Sequence, residues 1–172
     1  SDLCGLNCAL CSMHLGGYCP GCGGGEGNQS CAIARCGVSR GVEFCCDCGG
    51  YPCEKYEGFG EYDSFVPRSN GQRDMERARS IGLDTYLAEL DEKAALYHQL
   101  VEAYNDGRRK TFFSTAVYLL ALADIRSVTE ALGASVSEHL PIKERAALAV
   151  SAFQAVADTR GISLKLNKKP KE

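Results

Sequence analysis

Two patterns of apolar spacing divide the chain. From residue 84 onward apolar side chains return every three or four positions, the period that lines one face of an α-helix. Leu87, Leu90, Ala94, Tyr97, Val101 and Tyr104 mark such a face after Asp84 as N-cap, and Asn105, Asp106 and Gly107 end it. The pattern predicts a second helix from Lys110 to Ala123 with Phe113, Ala116, Val117 and Leu120 facing inward, then a short third one capped by Asp124 and ending at Gly133. Pro141 suits a first helical position, from which Ile142, Ala146, Ala149, Phe153 and Val156 make a further stripe closed by Gly161. A shorter helix is expected over residues 73–80.

Residues 1–60 show no such period. Leu3, Leu6, Leu10, Leu15, Ile33, Val38, Val42 and Phe44 are most of their apolar supply, and the segment holds 14 of the 19 glycines. So little side-chain burial does not offset the entropy of ordering the segment, so another source of cohesion is required. Cysteine supplies the candidate: all 11 lie between Cys4 and Cys53. The organisation expected is a small, metal-stabilised, irregular Cys-rich module over residues 1–60, a linker over 61–71, and an all-α helical domain over 72–172. The basic tail ending in Lys168, Lys169, Pro170 and Lys171 reads as a solvated terminus.

An odd cysteine count and the close pairs Cys8/Cys11, Cys19/Cys22 and Cys45/Cys48 favour thiolate ligands in a reducing compartment over a disulfide framework. The candidate ligands are Cys4, Cys8, Cys11, Cys19, Cys22, Cys31, Cys36, Cys45, Cys48 and Cys53. His14 and Cys46 are secondary candidates, the latter lying outside the spaced groups. A working partition draws one site from Cys4, Cys8, Cys11, Cys19 and Cys22 and a second from Cys31, Cys36, Cys45, Cys48 and Cys53, with interleaved partitions also open. Gly21, Gly23, Gly24, Gly25, Gly49 and Gly50 flank these groups, where a chain turning over an ion needs unusual dihedrals or close approach. Thiolate donors suit zinc, and each structural site contributes an apparent ~10 to 16 kcal/mol at neutral pH, so two or more ions would hold the module. An iron–sulfur centre is the alternative: Cys4-x3-Cys8-x2-Cys11 has the spacing of radical S-adenosylmethionine enzymes, although no strand–helix alternation follows it. Metal delivery through an exchangeable thiol such as Cys46 is a further alternative.

The string Cys4-Gly5-Leu6-Asn7-Cys8-x2-Cys11, the pair Cys19-x-Gly21-Cys22, Cys31-x-Ile33-x2-Cys36, and Gly41-Val42-Glu43-x-Cys45-x2-Cys48-x2-Tyr51-Pro52-Cys53-Glu54-Lys55 resemble the cysteine-rich family catalogued as domain of unknown function 3795. The resemblance covers about residues 4–60, and the order of all ten spaced cysteines agrees with it. It implies a small prokaryotic cytoplasmic domain that binds zinc, and it carries no activity. The family pattern often has Asp where this chain has Asn7, and a longer insert between Cys11 and Cys19.

Charge narrows the function classes. The net charge is −3, and residues 1–60 carry only Arg35, Arg40 and Lys55 against six acids, a poor phosphate footprint that argues against nucleic acid. The longest apolar run, residues 116–123, is too short to span a membrane, and no secretory signal precedes Cys4, so a cytoplasmic location is expected. His98 and His139 stand without a catalytic pattern around them, and the reading leans away from an enzyme. The expectation is a zinc-binding protein with structural Cys-ligated sites, serving as an interaction or regulatory module for an unidentified protein partner.

Overall fold

The computed structural model describes residues 6–21, 31–42 and 44–170. Among these residues seven α-helices follow in chain order: α1 (Ser12–Leu15), α2 (Ala32–Arg40), α3 (Gly71–Ile81), α4 (Leu83–Tyr104), α5 (Lys110–Leu119), α6 (Leu122–Ser135) and α7 (Ile142–Thr159). Three single 3-10 turns, Cys8–Leu10, Cys45–Asp47 and Glu54–Tyr56, punctuate the cysteine-rich part, and no strand occurs among the described residues. Contacts divide the chain into one unit of residues 1–88 plus 166–172 and a second of residues 89–165. The composition break near residue 60 is therefore not the division that contacts make. That division falls inside α4, whose helical period runs through it without a signal in the sequence.

In the second unit α7 packs against α5 and α6. Ala146, Ala149, Phe153 and Ala157 are fully buried, so three methyl groups let the helices approach while one ring fills the space between them. Phe153 meets Phe113 edge-on at a centroid distance of 6.2 Å, a favoured aromatic arrangement. Full burial of such a side chain contributes roughly 1.5–3 kcal/mol.

Several boundaries differ from the sequence expectation. The buried face of α4 runs Tyr86, Leu90, Lys93, Tyr97, Leu100 and Tyr104, rotated from the expected stripe, in which Leu87, Ala94 and Val101 are only half-buried. Lys93 occupies a core position because its Nζ donates to the Leu120 carbonyl over 2.8 Å. That carbonyl lies at the end of α5, which stops at Leu119 because Leu120 and Ala121 are extended. A cation at a helix C-terminus offsets the partial negative charge of the unsatisfied carbonyls. Helix α6 then starts at Leu122, so Asp124 sits in its first turn instead of capping it, and pairs with Arg160 Nη2 at 2.7 Å. Gly133 lies within α6, and Pro141 is the N-cap of α7 with Ile142 exposed beyond it.

The first unit has a thin apolar core, built from residues such as Leu6, Leu10, Ile33, Val66, Met75 and Tyr86. Its cysteine-rich part is not wholly irregular: α2 is a helix of nine residues, closed where Gly41 at φ 64° takes the left-handed conformation and the Val42 amide donates to the Gly37 carbonyl. The tail is also not a free terminus. Asn167 exchanges bonds with residues 61–65: the Asp63 amide donates to its carbonyl over 2.7 Å, its amide donates to Asp63 Oδ2 over 2.8 Å, and its Nδ2 donates to the Glu61 carbonyl over 2.8 Å. Lys168 adds a bond from Nζ to the Ser64 carbonyl and lies over the Phe65 ring.

Candidate functional site

The C-x2-C spacing writes the same local structure twice. At Cys8/Cys11 and at Cys45/Cys48 a 3-10 turn forms, the second cysteine's amide donates to the first's carbonyl, and the second cysteine leaves the turn extended at φ −77°, ψ 131° and φ −80°, ψ 130°. Such a turn presents two sulfurs on one side of a short loop while its amides remain near them.

The second turn stands in a richer setting. Cys36 from α2, Cys45 and Cys48 from the turn, and Cys53 at the N-cap of the following 3-10 turn line one cavity of about 280 Å³. Arg40 Nη1 donates to Cys48 Sγ over 3.4 Å. The Gly50 amide first, and the Arg40 guanidinium after it, hold the Cys48 thiol below its ordinary range. Burial pushes Cys45 up; a bond from Tyr56 opposes this, while the nearby Cys53, Cys36 and Cys48 sulfurs add to it. Cys45 thus feels the charge of the other three sulfurs from a partly buried position. Arg40 is in turn raised, most strongly by Cys48 and then by Cys36.

This arrangement unites four of the five cysteines expected to share the second site; Cys31, the N-cap of α2, does not line the cavity. In the other group Cys4 and Cys22 lie outside the described residues. Cys11 is buried at the N-cap of α1, Cys8 and Cys19 are half-buried, and His14 Nδ1 donates to the Cys19 carbonyl over 2.9 Å. No disulfide joins the described cysteines. The donor chemistry at Cys36, Cys45, Cys48 and Cys53 fits a soft or borderline cation. Their sulfurs stand around the cavity wall, and among the described residues no three Cys, His, Asp or Glu side chains are gathered as a metal-holding group.

The glycine expectation is corrected at Gly49 and Gly50. Neither has a positive φ, and an added Cβ would meet nothing at Gly49 and only Cys48 Sγ at 4.0 Å at Gly50. Gly21, at φ 84°, does take a conformation that favours glycine. Gly23, Gly24 and Gly25 lie outside the described residues.

Cys46 faces elsewhere. It lines a second cavity, of about 230 Å³, together with residues of the N-terminal segment, α3 and the start of α4. Burial, then the Asp47 carboxylate, raises its thiol. At this cavity Asn7 Nδ2 donates to Asp74 Oδ2 over 3.0 Å and to the Tyr86 hydroxyl oxygen over 2.7 Å. Sequence reading missed this polar group, since the partners are 67 and 79 positions apart; the one signal was an acidic residue, Asp74, in an otherwise exposed-looking stretch.

No family model matches the chain, and no curated protein or solved structure is significantly similar to it. No helix among the described residues is long and apolar enough to cross a membrane.

Proposed function

We propose that this chain is a zinc-binding protein whose first unit is held together by Cys-ligated structural ions, and that it serves as an interaction or regulatory module for a protein partner. The observation that carries the reading is the convergence of Cys36, Cys45, Cys48 and Cys53 on one cavity. A buried Cys45 thiol raised by three neighbouring sulfurs gains from a cation among them, and these four residues would hold it. Arg40 and the Gly50 amide support the thiolate form that a metal requires. The thin apolar core of the unit and the resemblance of residues 4–60 to a zinc-binding family agree with this reading. Zinc held by four thiolates supplies cohesion and no open coordination position for substrate.

Purification without added metal under anaerobic conditions, followed by elemental analysis, tests the proposal. Stoichiometric zinc in a colourless protein is expected. Iron with visible absorption would establish an iron–sulfur protein instead, and a folded protein free of both metals would refute the reading.

A further inference from the structure

Cys36, Cys45, Cys48 and Cys53 line one cavity but are unequally supported. Cys48 Sγ accepts a bond from Arg40 Nη1 over 3.4 Å and is faced by the Gly50 amide. The same guanidinium reaches Cys36, and Tyr56 bonds Cys45, which is buried. Cys53 differs on both counts. Its side chain makes no capping bond at the Glu54–Tyr56 turn, no other donor among the described residues reaches its sulfur, and of the four it alone is exposed. A donor aimed at a metal-held sulfur draws off part of its negative charge, which fixes that sulfur and makes it a weaker nucleophile. Susceptibility to oxidation follows thiolate character and access. On that scale Cys36, Cys45 and Cys48 are guarded and Cys53 is not.

We infer that Cys53 is the ligand at which this metal site opens: its sulfur is the first of the four that a peroxide oxidises, and the ion is then released. The inference rests on the zinc reading above and adds the regulation of that site. The Cys53 thiolate attacks one oxygen of hydrogen peroxide; an S–O bond forms, the O–O bond breaks and hydroxide leaves, giving a sulfenic acid. A neighbouring ligand thiolate then attacks the oxidised sulfur; an S–S bond forms, the S–O bond breaks and a second hydroxide leaves. The two sulfurs have together lost the two electrons that peroxide gained. A disulfide carries no charge, so the two thiolates that remain do not complete a tetrahedral zinc site. Arg40 is a positioning residue, acting through Cys48 to keep that sulfur from reacting first.

The test takes the full chain as purified, counts its zinc, and follows its reaction with one equivalent of hydrogen peroxide. Liberated zinc is read with a chromogenic chelator, and the oxidation of each cysteine is mapped by differential alkylation and mass spectrometry. Cys53 should lead Cys36, Cys45 and Cys48 by at least about threefold in rate, the ratio that one modest hydrogen bond is worth. One zinc should leave for each chain in which Cys53 is oxidised. Arg40→Ala, a change at an exposed side chain, should raise the rate at Cys48 towards that of Cys53, and Arg40→Lys, which keeps a donor and the charge, should restore part of the gap. Oxidation of another of the four ahead of or level with Cys53, zinc retained after Cys53 is oxidised, or indifference of Cys48 to Arg40→Ala would overturn the inference and leave the zinc reading standing. A protein that carries no zinc before peroxide is added fails the earlier reading, and this one with it.

Discussion

Cys45 and Cys46 are adjacent in the chain, and their side chains line different cavities. The 3-10 turn over Cys45–Asp47 splays them: Cys45 joins Cys36, Cys48 and Cys53, whereas Cys46 joins Asn7, Asp74 and Tyr86. Two thiols with nearly the same sequence context thus have different expected chemistry. Cys45→Ser should lower bound zinc by one equivalent and destabilise the first unit, while Cys46→Ser should leave the metal content unchanged. Elemental analysis of the two variants, side by side, checks this. Equal loss of metal in both would show that the adjacent thiols share the ligand role.

Lys93 offers a stability test inside the helical unit. Lys93→Met keeps the alkyl stem and removes the donor to the Leu120 carbonyl, leaving an acceptor unmet at the end of α5. The cost should be about 1–3 kcal/mol, read from urea unfolding. The same change at exposed Lys110 should cost a small fraction of that.

Glu92 and Arg126 pair through two parallel bonds across α4 and α6. Arg126 first lowers the Glu92 carboxyl below its ordinary value. A carboxyl whose folded pKa is depressed binds fewer protons than in the unfolded chain, so its contribution is present above the ordinary carboxylate range, near 4.3, and is lost as pH falls through the lower folded value. Glu92→Gln should therefore lower Tm slightly at pH 7, and the gap from the parent should close in acid. Because both side chains are largely in water, added salt should narrow the gap as well.

Asn167 ties the tail to residues 61–65 through three bonds. Asn167→Ala removes only the Nδ2 donor to Glu61, so the backbone exchange with Asp63 survives and the cost should be near 1 kcal/mol. Amide exchange at Asp63, whose N–H donates to the Asn167 carbonyl, should accelerate in this variant and rise further when residues 166–172 are removed. Unchanged exchange in the truncated chain would mean that the tail contributes nothing to the order of that loop.

The helices from α4 onward were legible because their apolar positions recur with a helical period over three or more turns. The face of α4 was misread by about one position because Lys93 counts as polar in any pattern, although its Nζ finds a carbonyl and its stem is buried. The break at Leu120 was invisible for a related reason: residues 116–123 are uniformly apolar, and nothing in such a run says where a helix stops. Helix α2 escaped notice because only Ile33, Ala34 and Gly37 are buried on it, too few for a stripe. At the site, spacing identified the C-x2-C turns and four cysteines of one group. It did not reveal that Cys31 stands apart, nor that Asn7, Asp74 and Tyr86 meet, because distance along the chain carries no information about such polar encounters.

The clasp of Asn167 onto Asp63 makes the helical unit an insertion within the cysteine-rich one. Ribosomal synthesis delivers residues 89–165 before 166–168, so the inserted helices have their whole sequence available while the surrounding unit still lacks its last piece. Thiols near the N-terminus thus leave the ribosome, open to capture by an ion, well before the tail arrives to fasten the loop at 61–65.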